Sequence, residues 1–234
     1  QGRAPQIAMG VSPKTLPQYR QLSDLRGRRI GVSAPGSSTN MVANLVLARA
    51  GIRPHEVQFV GVGTSAGALR AFRTGEIDAL SNIDPVLTVL EKAGEIRIVS
   101  DTRTLKGTRD VFGGPMPAAC LYAPSAFIER HPRTCQALAN GVVHALKWLQ
   151  TAGPADLVKA VPAAYLMGDR GLYLAAFGRV RETFSPNGLM PEDGPATALR
   201  ILARVQPELA EAKVELARTY TNDLVRKARQ KYSV

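Results

Sequence analysis

From residue 28 onward, apolar and polar positions follow a repeating order. The short run Arg29–Ser33 reads as a strand. A 3.6-residue pattern follows over Thr39–Ala50, with Met41, Leu45, Val46 and Leu47 on one stripe. The alternation recurs as strand Val57–Val62, helix Ser65–Arg73, strand Asp78–Asn82, helix Pro85–Ala93 and strand Ile96–Ser100. Gly51 and Gly75 stand where a helix would close in a left-handed cap, and Pro85 suits a first helical turn. Strands and helices alternating over short connections predict a parallel sheet covered by helices. Past Asp101 the pattern changes. Lys106–Pro117, rich in Gly and Pro, reads as a loop, and Ala118–Ala123 as one more strand. From Ser125 nearly everything reads as helix. One starts near Pro132 with Leu138, Val142, Leu146 and Leu149 on a face, and others cover Ala155–Val161, Arg170–Phe184, Pro195–Val205 and Leu216–Lys231. These tail helices need a second sheet to pack on, and the strands to build it are lacking. The imbalance predicts absent N-terminal sequence or an unusual fold.

Composition narrows the class. A chain of 234 residues, 45% hydrophobic and 21% charged, suffices for one large domain or two small lobes around a real core. No apolar run is long enough to span a bilayer. There is neither an initiator Met nor a leader-like segment, which reads as a chain beginning after processing or part-way through a longer product. The formal net charge of +11 is spread along the chain, although residues 1–30 hold six basic side chains against Asp24 alone. With 6% aromatic residues and scattered arginines, a nucleic-acid face is not expected, whereas attraction of small anions is. Cys120 and Cys135 match no zinc or redox spacing and read as buried free thiols, with a single disulfide as the alternative. The three histidines are isolated, so no metal site and no cofactor are expected.

Chemistry concentrates at the strand ends. In Arg28–Met41 a strand runs through Ser33, Gly36, Ser37, Ser38 and Thr39 straight into a helix. Free N–H groups and hydroxyls there form a donor-rich cup for a carboxylate, sulfonate, phosphate or nitrate. Thr64, Ser65 and Asn82 lie on the same carboxyl edge of the sheet, where ligands of open α/β sheets sit. Asp84 is expected to cap the helix that follows it. Gly63-Thr64-Ser65-Ala66-Gly67 also matches the nucleophile elbow of α/β-hydrolases, with Asp84 or Asp101 and His131 or His144 in a permissible order. A serine hydrolase using Ser65 is therefore the alternative reading. Gly61-x-Gly63-x-x-x-Gly67 imitates a dinucleotide fingerprint but is one residue too long.

Asp24-Leu25-Arg26-Gly27-Arg28-Arg29-Ile30-Gly31-Val32 resembles the "DLKGKKVGV" opening of the second lobe in bacterial ABC-importer solute-binding proteins. The group is the nitrate/sulfonate/taurine one (SsuA/TauA-like), related to the NMT1/THI5-like binders of pyrimidine precursors. The resemblance continues through Ala34–Thr39, Ala50–Pro54, Arg73–Ala79, Ser81–Pro85 and Ala119–Ala123, the last ahead of Arg130-His131-Pro132, and covers most of residues 20–150. It implies a type II periplasmic-binding-protein fold of two lobes, with the N-terminal part of lobe one absent from this chain. Residues 1–24 would be the end of lobe one and the hinge, 25–110 lobe two, 111–124 a return crossing, and 125–234 helices packing on lobe one. The implied function is the periplasmic, monomeric substrate-binding component of an ABC importer, a non-enzyme that takes a small anionic or polar solute and hands it to the permease. Ser33, Gly36, Ser37, Ser38, Thr39, Thr64, Ser65 and Asn82 would bind it. The cysteine-rich iron motif and active-site His of the fungal enzymes in the wider group have no counterpart here.

Overall fold

The computed structural model describes residues 2–166 and 168–233. Five strands form one sheet: β1 (Ile7–Val11), β2 (Arg29–Val32), β3 (Gln58–Gly61), β4 (Ala79–Ile83) and β5 (Arg97–Asp101). Interleaved with them are α1 (Ser38–Ala48), α2 (Ala66–Thr74), α3 (Val86–Lys92) and α4 (Leu105–Phe112). The spatial order is β3-β2-β4-β1-β5. β2 pairs in parallel with β3 and β4, as the strand–helix alternation predicts. The expectation of a wholly parallel sheet needs correction, because β1 lies antiparallel between β4 and β5.

β1 is Ile-Ala-Met-Gly-Val, buried at every position. A strand covered on both faces has no polar alternation to betray it. Successive side chains still part company. Ile7, Met9 and Val11 join Ile30, Val32 and the α1 residues Val42, Val46 and Leu47 on one face, whereas Ala8 joins Leu80, Phe72, Leu87 and Leu90 on the other. The segment assigned to the end of lobe one and a hinge thus supplies an inner strand of this sheet.

The second half is helical: α5 (Ser125–Arg130), α6 (Pro132–Thr151), α7 (Pro154–Ala160), α8 (Arg170–Val180), α9 (Gly194–Val205) and α10 (Asp223–Tyr232). Lys147 Nζ donates to the Tyr232 carbonyl at 2.5 Å and His144 stacks on Tyr232 at 4.6 Å, fixing α10 along α6. Ile201 of α9 joins the α1 side of the sheet core. Three expectations fail locally. Lys106–Pro117 is not all loop: the Thr104 hydroxyl accepts the Gly107 N–H at 3.0 Å and starts α4, and Gly113 at φ +72° ends it. Ala118–Ala123 makes one isolated bridge, Ala118 to Gly2, and is otherwise unpaired among the described residues. Leu216–Lys231 is a 3-10 turn, Leu216–Arg218, followed separately by α10. Among the described residues no helix is long and apolar enough to cross a membrane.

Candidate functional site

The turns at the carboxyl ends of β2, β3 and β4 converge. Gly63 N–H donates to the Ser33 carbonyl at 3.1 Å, and Asn82 Nδ2 donates to the Gly63 carbonyl at 2.9 Å. Three sequence-distant loops therefore hold one another in place. Gly36 and Gly63 sit at φ +78° and +72°, a left-handed conformation that a β-carbon disfavours.

The hydroxyls of the first turn bond mainly to each other. Ser33 Oγ lies 3.0 Å from Ser37 Oγ and 2.9 Å from Thr39 Oγ1, and Ser37 Oγ lies 2.8 Å from Thr39 Oγ1. Ser33 N–H also donates to Thr39 Oγ1 at 2.9 Å, and Ser37 Oγ accepts the Asn40 N–H at 3.3 Å as the N-cap of α1. Thr39 is 2% exposed, and its carbonyl accepts the Ser81 hydroxyl at 2.8 Å. The Thr39 hydroxyl, expected to meet the solute, is thus buried among the turn's own hydroxyls. Asn82, expected there too, is also turned inward. It is wholly buried, with Oδ1 accepting the Ile83 N–H at 2.9 Å while Nδ2 steadies Gly63.

What stays open is backbone. The N–H groups of Ser38 and Thr39 at the start of α1, and of Thr64 through Gly67 at the start of α2, have no partner among the described residues. Gly36, Ser38, Thr64 and Ser65 are exposed, and Ser33 and Ser37 half-buried. Two helix N-termini side by side on neighbouring parallel strands concentrate positive potential at this edge. Asn40 was missed in the sequence. Its Oδ1 accepts the Gly36 N–H at 2.9 Å, leaving Nδ2 a buried donor without a partner beside the same turn. The signal lay in its place three residues after the N-cap Ser37, where a capping box puts an amide or carboxyl.

Next to this edge stands a charge cluster that the sequence did not announce. Arg103 is wholly buried and meets Asp101 at 2.8 Å, Glu91 at 2.8 Å and Asp84 at 3.4 Å. Burial opposes its charge, but hydrogen bonds to Asp101 and Glu91 prevail and raise its pKa. Asp84 also takes the Thr88 N–H at 2.9 Å, so it caps α3 as expected. The far oxygen of Glu91 binds Arg179 of α8 at 2.6 Å, tying the sheet half to the helical half.

The hydrolase alternative finds little to work with. Ser65 makes no side-chain cap bond at its helix start. His144 stacks on Tyr232, His131 lies 4.7 Å from the Phe127 ring, and His55 sits in a surface turn. Cys135 is buried as expected, but Cys120 is exposed, and both are free thiols. A cavity of about 720 Å³ lies elsewhere, between α5, α6 and residues 218–225.

A profile of the NMT1-like family matches residues 11–162. A solved protein from Bordetella bronchiseptica RB50 is 54% identical with a TM-score of 0.94, over 100% of this chain and 74% of that one. The putative sulfonate ABC transporter periplasmic sulfonate-binding protein SsuA from Methylobacillus flagellatus KT is 16% identical, with a TM-score of 0.66 over 97% of this chain and 66% of its own. The periplasmic nitrate-binding protein NrtA from Synechocystis PCC 6803 is 14% identical, with a TM-score of 0.69 over 98% and 66%. At these identities the last two show the fold alone, an α/β fold of the periplasmic-binding-protein type. That fold also carries the desulfurization enzyme DszB, at 17% identity and a TM-score of 0.53 over 99% of this chain and 78% of that one. No curated protein matches the chain.

Proposed function

The chain belongs to the NMT1-like family, and on that premise we propose that it is the substrate-binding component of an ABC importer. It captures a small anionic solute, of sulfonate, nitrate or carboxylate type, and presents it to the permease subunits from the periplasm. The observation that carries this reading is the pair of open helix N-termini at the ends of β2 and β3, with unpaired N–H groups from Ser38 and Thr39 on one side and Thr64 to Gly67 on the other. Ser33, Gly36, Ser37 and Ser38 form the first arm of the cup, Thr64 and Ser65 the second, and Asn40 adds a side-chain donor. Asn82 and Thr39 hold the arms in register.

One such helix-terminus contact contributes about 0.3–1 kcal/mol when exposed and up to about 2 when partly buried. Tight capture therefore needs a facing wall. In this reading residues 7–112 form one lobe, the segments near residues 2–6 and 113–124 cross between lobes, and the helices from Ser125 belong to the other. Ligand affinity that differs between open and closed arrangements would drive closure.

The test is a thermal-shift and calorimetric screen with an alkanesulfonate, nitrate and a carboxylate. The expected result is a rise in Tm with at least one, equivalent to about 2.7 kcal/mol at a hundred times its Kd. Ser38→Asp should leave the fold intact, since a carboxylate at a helix start is stabilising, while weakening that solute at least tenfold. Silence across the screen, or undiminished binding by S38D, would overturn the reading. So would ester hydrolysis by the native chain that Ser65→Ala abolishes.

A further inference from the structure

We infer that the end of the sheet opposite the cup is a docking surface for an extended acidic segment of a partner protein, held by Lys14, Arg20, Arg28 and Arg97. The amino ends of three parallel strands gather there: Arg29 opens β2, Gln58 β3 and Ala79 β4. β1 ends beside them at Val11, paired with Ala79 on one side and on the other with Arg97, the start of β5. The acids of the surrounding turns are already engaged. Glu56 pairs with Arg26 and Arg53, Asp78 with Arg29, Glu76 with Arg70 and Glu95 with Arg73. Asp24 Oδ2 accepts the backbone N–H groups of Arg20 and Gln21 at 2.8 and 3.0 Å.

Lys14, Arg20, Arg28 and Arg97 are all exposed, and none has an acid to pair with among the described residues. Lys14 Nζ donates to the Arg73 carbonyl at 2.8 Å. Arg97 donates to the Tyr19 carbonyl at 3.0 Å, with its guanidinium over the Tyr19 ring. These bonds fix the side chains and leave their charge unneutralised. Arg20 and Arg28 line a hollow of about 460 Å³ beside residues 15–19, with Asp24 as the one acid against two arginines. The spacing of strands sets the reach of the surface. β2 and β5 stand three steps apart in the sheet, about 14 Å at the usual separation of neighbouring strands. Cations spread from Arg28 to Arg97 therefore outspan a small anion and match about four residues of extended chain. A lipid surface fits less well. The exposed large hydrophobics among the described residues all lie from Leu121 onward, so this end has nothing to insert among acyl chains. Complementary potential would instead steer an acidic segment onto it and fix its register. None of these residues belongs to the cup, so the proposal stands apart from the solute-binding reading.

The experiment titrates the chain against a fluorescein-labelled deca-glutamate peptide, read by anisotropy, and in parallel against vesicles of phosphatidylcholine with added phosphatidylglycerol. The peptide should bind at low salt, and raising the salt about tenfold should weaken it at least tenfold, because exposed charges are screened. Arg20→Gln with Arg28→Gln should also weaken it at least tenfold. Arg20→Lys with Arg28→Lys keeps the charge and should stay within about threefold of the native chain, which separates lost charge from lost fold. Arg133→Gln with Lys159→Gln removes the same charge from exposed positions of the helical half and should change the affinity by less than about twofold. Equal weakening by the two glutamine pairs would reduce the effect to net charge and overturn the proposal. Absence of peptide binding at low salt would overturn it too. Binding to the anionic vesicles but not to the peptide would make a lipid surface the occupant and sink it. Ser38→Asp should leave the peptide's affinity unchanged, and a tenfold loss there would put the peptide in the cup, against the proposal. A silent solute screen would bear on the cup alone.

Discussion

Asp78 is 6% exposed, and its carboxylate receives the Arg29 guanidinium at 3.0 Å and the Arg29 backbone N–H at 3.0 Å. Burial pushes its pKa up, yet the hydrogen bonds from Arg29 prevail and hold it below the ordinary 3.8. A carboxyl depressed on folding stabilises the native state above its unfolded pKa, and that stability is lost as pH falls through the folded value. Asp78→Asn should therefore cost about 1–3 kcal/mol at neutral pH, toward the lower end because the Arg29 side chain is 42% exposed. It should also flatten the fall in urea midpoint as pH drops below about 4, measured by denaturation across pH. Asp24 and Glu56, likewise depressed by backbone hydrogen bonds at the surface, keep some acid sensitivity in the variant. At this scale the sequence announced donor types but not their partners. Ser33, Ser37 and Thr39 are all hydroxyl residues at a helix start, and only coordinates reveal that the three oxygens bond to one another.

Among elements, α4 hangs on Gly107. A β-carbon there would overlap the Asp101 carbonyl oxygen at the end of β5. Gly107→Ala should accordingly destabilise the chain by about 2 kcal/mol or more, as overpacking against backbone does, seen as a lower midpoint in urea. A midpoint unchanged or raised would mean that α4 gives way freely. This glycine also explains a misreading, because Gly inside Lys106–Pro117 looks like a breaker when its role is close approach. β2 to β5 and α1 to α3 were legible to within a few residues, since each strand meets a periodic helix and a glycine or proline stop. β1 was hidden by having both faces covered, and Ala118–Ala123 looks like a strand in composition but, among the described residues, bridges only through Ala118.

Across the whole molecule, the two halves are joined by polar bonds as well as by the α1–α9 core. Arg179 reaches Glu91, Glu182 Oε1 accepts the Leu105 N–H at 2.8 Å, and Arg3 donates to the Glu182 carbonyl at 2.6 Å. Arg103 reaches both the turn after β4, through Asp84, and α8, through Glu91, so the proposed cup and the relative placement of the halves share one charge cluster. The order of strands carries one more consequence, in time. β1 is finished at Val11, but the strands on either side of it end at Ile83 and Asp101. At about 5–20 residues per second of synthesis, a wholly apolar ribbon waits several seconds on the ribosome before either neighbour exists. Nascent chains stalled short of Asp101 outside the exit tunnel should stay open to protease, and those stalled beyond it should not. During that wait Ile7–Val11 is an apolar stretch that a holding chaperone can bind.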